Sequence, residues 1–245
     1  MRFVFRIITV KRRIRYSMST FLFEVKKKLQ PLVSIAAVAV TLFTVVYAQV
    51  ITNMQTIAVN KRFYFLASAS KHIQASTQLA VLGGGAGYTL CLDDGEYVAY
   101  SVYFNEEEFN RAQASVNEQE QTVLVTLKVD RLVFKGEKQK ENAPMIKGAF
   151  DCLYSCIQLL NGEILRLEHG ATQESSKRIL RTLKDQFAYM EKTYQQAFPD
   201  FAKTCSNAQM RLNKSLEEVV YCKDLRYLLC ELSVDYVNLS SEFSL

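Results

Sequence analysis

From Leu29 to Asn60 the sequence carries no charged side chain, and the stretch 31–51 (PLVSIAAVAVTLFTVVYAQVI) is almost wholly apolar. About 20 such residues span the hydrocarbon core of a bilayer. Lys26, Lys27 and Lys28 stand directly before it, and nothing basic follows until Lys61 and Arg62. The positive-inside rule then gives a basic cytoplasmic tail over 1–30 and a transmembrane helix over 31–51. Everything after about residue 52 would lie outside the cytosol, in a single-pass protein of the cell membrane held in the lipid bilayer. A cleavable signal peptide is the competing reading, with Ala48 as a small residue near a cleavage point. The run is longer than the roughly 7–15 apolar residues usual in such a signal. The stretch before Met18 has no clear periodicity and reads as an upstream extension of a start at that methionine.

Charge follows the same division. Thirty Lys and Arg oppose 25 Asp and Glu, a formal +5, but residues 1–30 hold nine bases against one acid. The rest of the chain is slightly acidic, so no basic folded surface for nucleic acid is expected.

Beyond the apolar run the pattern changes to short aromatic and β-branched segments broken by turn signals. Residues 63–67 (FYFLA) predict a strand, 70–82 a helix with Ser70 as its cap, and 88–92 (YTLCL) a second strand. Asp93, Asp94 and Gly95 form a hairpin signal before a strand over 96–104. Asn105 caps a helix whose first turn holds Glu106, Glu107 and Glu108, where acids favour the helix dipole. Residues 122–134 alternate as a last strand. The order β-α-β-β-α-β over 62–135 is the ferredoxin-like arrangement, with two helices on one sheet face and the other face open.

This run, YFLASASKHIQASTQLAVLGGGAGYTLCLDDGEYVAYSVYFNEEEFNRAQASV, resembles a SPOR domain, the sporulation-related repeat of bacterial envelope proteins. A Ser-containing turn (Ser68) precedes a helix with a small residue (Ala75), and the strand, turn and helix of 63–82 are echoed over 97–116. The resemblance implies a membrane-anchored protein that binds peptidoglycan glycan strands on the open sheet face and recruits or scaffolds in division or sporulation. Where the family carries Gln and Gly in the first strand and Arg and Gly in the third, this chain has Phe65, Ala67, Ala99 and Ser101. Hydrogen-bonding groups for sugar hydroxyls are therefore sparse, and Phe63, Phe65 and Tyr97, with Ser101 beside them, are the candidate glycan-binding residues. Aromatic faces suit the apolar faces of sugars. The alternative is that these aromatics are sheet residues covered by the helical region or by a partner.

After a polar linker over 135–142, Ile146, Phe150, Leu153, Ile157, Leu160, Ile164 and Leu167 step alternately by four and three. Leu180, Leu183, Phe187, Met190, Tyr194 and Ala197 repeat the pattern after a Thr172 cap. Leu225, Leu229, Leu232, Tyr236 and Leu239 continue it in a third helix begun near Asp200. Such spacing predicts an antiparallel three-helix bundle over 143–241, packed on itself or opened to a protein partner or a second copy.

Catalytic signatures are missing from the sequence. His72 and His169 have no Cys or acid at metal-ligand spacing, and 83–87 (GGGAG) lacks the Lys-Ser/Thr of a phosphate loop. Neither an enzyme nor a metal or cofactor is expected. Of the six cysteines, Cys152 and Cys156 lie four apart on one helix face without a second such pair; disulfides outside the cytosol and burial as small apolar residues both remain open.

Overall fold

The computed structural model describes residues 54–69, 72–115 and 122–244. Its elements are β1 (Met54–Ala69), α1 (Ile73–Leu82), β2 (Tyr88–Leu92), β3 (Gly95–Tyr103), α2 (Glu106–Ser115), β4 (Thr122–Lys135), α3 (Glu137–Glu168), α4 (Gln173–Tyr194), α5 (Pro199–Glu217) and α6 (Cys222–Ser241). The fold is α+β, a four-stranded antiparallel sheet with six helices among the described residues.

Sheet order is β2-β3-β1-β4, with β1 and β3 as the central pair, in keeping with a split β-α-β arrangement. Tyr64 pairs with Tyr103, Phe65 with Val102, Leu66 with Ser101, and Ala67 with Ala99, so Tyr100 is left over as a bulge on β3. Its carbonyl accepts from the Ala86 amide at 2.7 Å, which ties the glycine loop after α1 onto the bulge. Gly87 is needed in that loop for two reasons. Its φ is +62°, and a Cβ there would lie 2.6 Å from Val81 Cγ2 and 3.2 Å from the Thr77 carbonyl oxygen. Gly87→Ala is therefore expected to lower unfolding free energy by about 2–4 kcal/mol, strain and overpacking together. A change under about 0.5 kcal/mol in urea titration would show that the loop shifts freely.

Paired residues share a face, so Phe63, Phe65, Ala67, Ala99, Val102, Tyr97 and Leu90 belong to one side of the sheet, whereas Tyr64, Leu66, Ser101 and Tyr103 belong to the other. The second side is covered by α2, whose buried Phe109 joins Tyr64, Leu66 and Tyr103 in a small cluster. The first side is covered as well. Helices α3 and α6 pack on it, and Phe63 meets Tyr154 of α3 and Tyr236 of α6 edge-on, with centroids 6.2 and 5.4 Å away. The sheet face expected to be open is therefore part of the main core, a continuous cluster running from Phe63 through the bundle to Phe243.

Four helices, not three, form the bundle. Helix α3 packs beside α4 and α6, and α5 beside α4 and α6. All three predicted seams face its interior: Leu153, Ile157, Leu160, Leu180, Leu183, Phe187, Leu225, Leu229 and Tyr236 are buried to within 1%. The extra helix arises from a break after Glu217 that carries no Gly or Pro. Gln173 at the start of α4 holds that break: its amide donates to the Val220 carbonyl at 2.9 Å, and its oxygen accepts from the Val220 N–H at 2.8 Å. Gln173 thus supplies both hydrogen bonds that helix continuation would have given Val220. The expected linker over 135–142 is also different, since Glu137 already begins α3 and Ala143 is fully buried. Lys138, Gln139, Lys140 and Glu141 are good helix formers, and only Gly136, at φ +82°, interrupts the path from β4.

Among the described residues no helix is long and apolar enough to cross a membrane. The longest, α3, carries charge along its length, including Lys138, Lys147, Asp151, Glu163 and Arg166. The segment 31–51 lies outside the described residues, as does Ser70. The transmembrane helix and the single-pass membrane localisation expected from sequence find no support among the described residues.

Candidate functional site

The four candidate glycan residues do not converge. Phe63 and Phe65 are 0% exposed beneath α3 and α6, and Tyr97, partly buried against the same core, donates its hydroxyl to Asp94 at 3.1 Å. Ser101 belongs to the opposite sheet face, where it lines a cleft of about 310 Å³.

That cleft is assembled by four elements. Strand β3 contributes Ser101 and Tyr103, α2 contributes Glu108 and Arg111, α3 contributes Asn161, Ile164, Leu165 and Glu168, and α6 contributes Arg226. Asn105 places α2 by accepting the Glu108 amide at 2.8 Å, as a cap should. Arg226 is a structural tie: its guanidinium donates to the Gly84 carbonyl, 142 residues away in sequence, and to Glu168 at the end of α3. Tyr103 has its hydroxyl pKa raised, mainly by burial, against the opposing pull of Arg226 and a hydrogen bond with Ser101. The cleft thus presents hydrogen-bonding groups and two guanidinium forks over an apolar floor. Its lining can hold a ligand through hydrogen bonds and charge.

No family model, curated protein or solved structure matches this chain.

A second polar group lies where α6 meets α5 and β2. Arg211 binds Glu231 through two guanidinium nitrogens and stands 4.8 Å over the Tyr227 ring, which meets Tyr88 edge-on at 5.2 Å. Asp235, one helical turn past Glu231, has its pKa raised to about 6, first by burial and then by Glu231, with Arg211 opposing. The Tyr88 hydroxyl faces the same acids, and burial with their charge raises its pKa too. A folded-state pKa above the unfolded one means that the native protein binds the extra proton. Stability from Asp235 is then greatest below about pH 4 and falls as pH rises through 6. Asp235→Asn should exceed the parent in stability by about 1 kcal/mol at pH 8, allowing for solvent screening at a partly exposed group, and match it at pH 4. Thermal melts at the two pH values check this; an equal gain at both would assign the effect to packing.

The cysteines are all free. Cys156, Cys205 and Cys230 are buried, Cys91 and Cys152 are exposed, and Cys222 is intermediate. Burial pushes the thiols of Cys156 and Cys205 up to about 12, so neither is a ready thiolate. Among the described residues no group of three or more His, Cys, Asp or Glu could hold a metal ion.

Proposed function

We propose that this protein is a non-enzymatic interaction scaffold whose αβ layer does not bind glycan strands, and whose helices supply the contact with a protein partner or a second copy. One observation carries the reading: the aromatic sheet face suited to stacking on sugars is filled by α3 and α6, with Phe63 and Phe65 at 0% exposure. A sugar would have to displace Tyr154 and Tyr236 to reach them. Exposed apolar side chains lie on the helices, Leu82 at 84%, Tyr189 at 70% and Met210 at 62% among them.

The test is retention of the purified chain on peptidoglycan, intact or stripped of stem peptides by an amidase. No retention on either is expected. Retention would favour the second reading, a SPOR-like glycan binder acting at the cell envelope, which the strand order and paired crossover helices support. That reading needs a binding surface other than the Phe63 and Phe65 face, and its counterpart in cells would be a fluorescent fusion concentrated at division septa.

A further inference from the structure

We propose that the cleft between β3, α2, α3 and α6 binds a small zwitterion of the amino-acid class, its carboxylate on Arg111 and its ammonium on Glu108. This goes beyond the scaffold reading and does not depend on it.

Several polar groups in the cleft are already committed. Arg226 is held by Gly84 and Glu168, and the hydroxyls of Tyr103 and Ser101 hydrogen-bond to each other. Three groups are left. Among the described residues Arg111 makes one hydrogen bond, from Nε to the Glu107 carbonyl of its own helix at 3.4 Å, which leaves its two terminal nitrogens without a partner there. Glu108 uses its backbone amide on Asn105, while among the described residues its carboxylate has no ion pair or hydrogen bond and the Asn161 amide opposite has none either; all three line the same cleft.

Glu108 and Arg111 stand three apart on α2, a spacing at which opposite charges are neighbours about 5–6 Å apart at Cβ. Elsewhere in this protein that spacing is used, as Arg166 pairs with Glu163 at 2.9 Å. Here the two charges do not meet, and both line the cleft. An anion alone would answer Arg111 and be repelled by Glu108; a cation alone would meet the converse. A ligand that carries an ammonium and a carboxylate on one carbon answers both groups, with the guanidinium fork matched to the carboxylate. The Asn161 amide, which can donate and accept, is then a third partner. Tyr103, Ile164 and Leu165 supply an apolar wall for a side chain. A volume of about 310 Å³ suits a ligand at the small end of the usual range, which fits one amino acid or the zwitterionic end of a short peptide.

The test is calorimetric titration of the full chain with D- and L-alanine, leucine, phenylalanine and lysine, dialanine, and the N-acetyl and methyl-ester derivatives of each. Saturable binding of at least one free zwitterion is expected, weakened tenfold or more when either its amine or its carboxylate is blocked. Arg111→Gln and Glu108→Gln should each weaken it tenfold or more while leaving the thermal midpoint unchanged, because neither side chain is committed to another of the described elements. Tighter binding of dialanine than of alanine assigns the natural ligand to a peptide, and the reverse to a free amino acid. Absence of binding by every compound up to about 10 mM, where even weak complexes register, would overturn the proposal. So would binding indifferent to blocking or to both substitutions.

Discussion

Phe63→Ala is expected to lower the stability of the sheet and the bundle together, by about 3–5 kcal/mol. Phe63 is fully buried and touches Phe104 on the sheet side and Tyr154 and Tyr236 on the helical side, so its removal opens a cavity at the seam between layers. For a chain of this size the midpoint should fall on the order of 10 °C. A single transition is expected, seen at the same denaturant concentration by tyrosine fluorescence and by far-ultraviolet circular dichroism. Two separated transitions, with the helices unfolding as in the parent, would show that the sheet and bundle do not share a core. A peptidoglycan-retention defect without loss of stability would point instead to a ligand-facing Phe63.

Arg166→Ala should be nearly as harmful, although Arg166 is half exposed. Its guanidinium pairs with Glu163, whose side chain is 0% exposed and whose other carboxylate oxygen has no hydrogen-bond partner, and it also donates to Ser175 of α4 at 2.8 Å. Removing the partner of a buried charge costs about 3–5 kcal/mol where burial is complete. With Arg166 open to solvent on one side, about 2–3 kcal/mol is expected here. The pair Glu163→Met with Arg166→Ala should recover most of that, since a buried ion pair is often replaced by apolar groups at little loss. Urea unfolding of the two single variants and the double one closes the cycle. Should the double variant be no better than Arg166→Ala alone, packing of the arginine stem, not the uncompensated carboxylate, explains the loss.

Much of the helical half was legible in the sequence because its seams are local. Ile146 to Ile164 and Leu180 to Tyr194 repeat every three or four residues, and the caps at Asn105 and Thr172 accept the amides expected of them. The fourth helix was hidden because the break before Cys222 is held by Gln173, far away in sequence and silent as a local signal. The covered sheet face leaves its own mark in the sequence. Residues 63–67 are apolar without alternation, whereas a strand open to solvent on one side should alternate. All five are buried in the structure. Ser101 was singled out for a stacking surface and instead lines a cleft whose other members, Glu108, Arg111, Asn161 and Arg226, come from three helices. Nothing in their spacing along the chain joins them. The glutamates at 106–108 announced only a helix start.

The contact of Phe63 with Tyr236, and of Arg226 with the Gly84 carbonyl, also bears on the order in which the chain is made. A ribosome releases β1 long before α6 exists, so a nascent chain holds strands whose apolar face has no lid until α6 has emerged. Such long-range closure slows folding relative to a chain of local contacts, and it leaves Phe63, Phe65 and Val102 available to the wrong partners in the interval. The sheet should therefore acquire protection from hydrogen exchange only once α6 has left the ribosome, even though α3 and α4 can begin to pair before it.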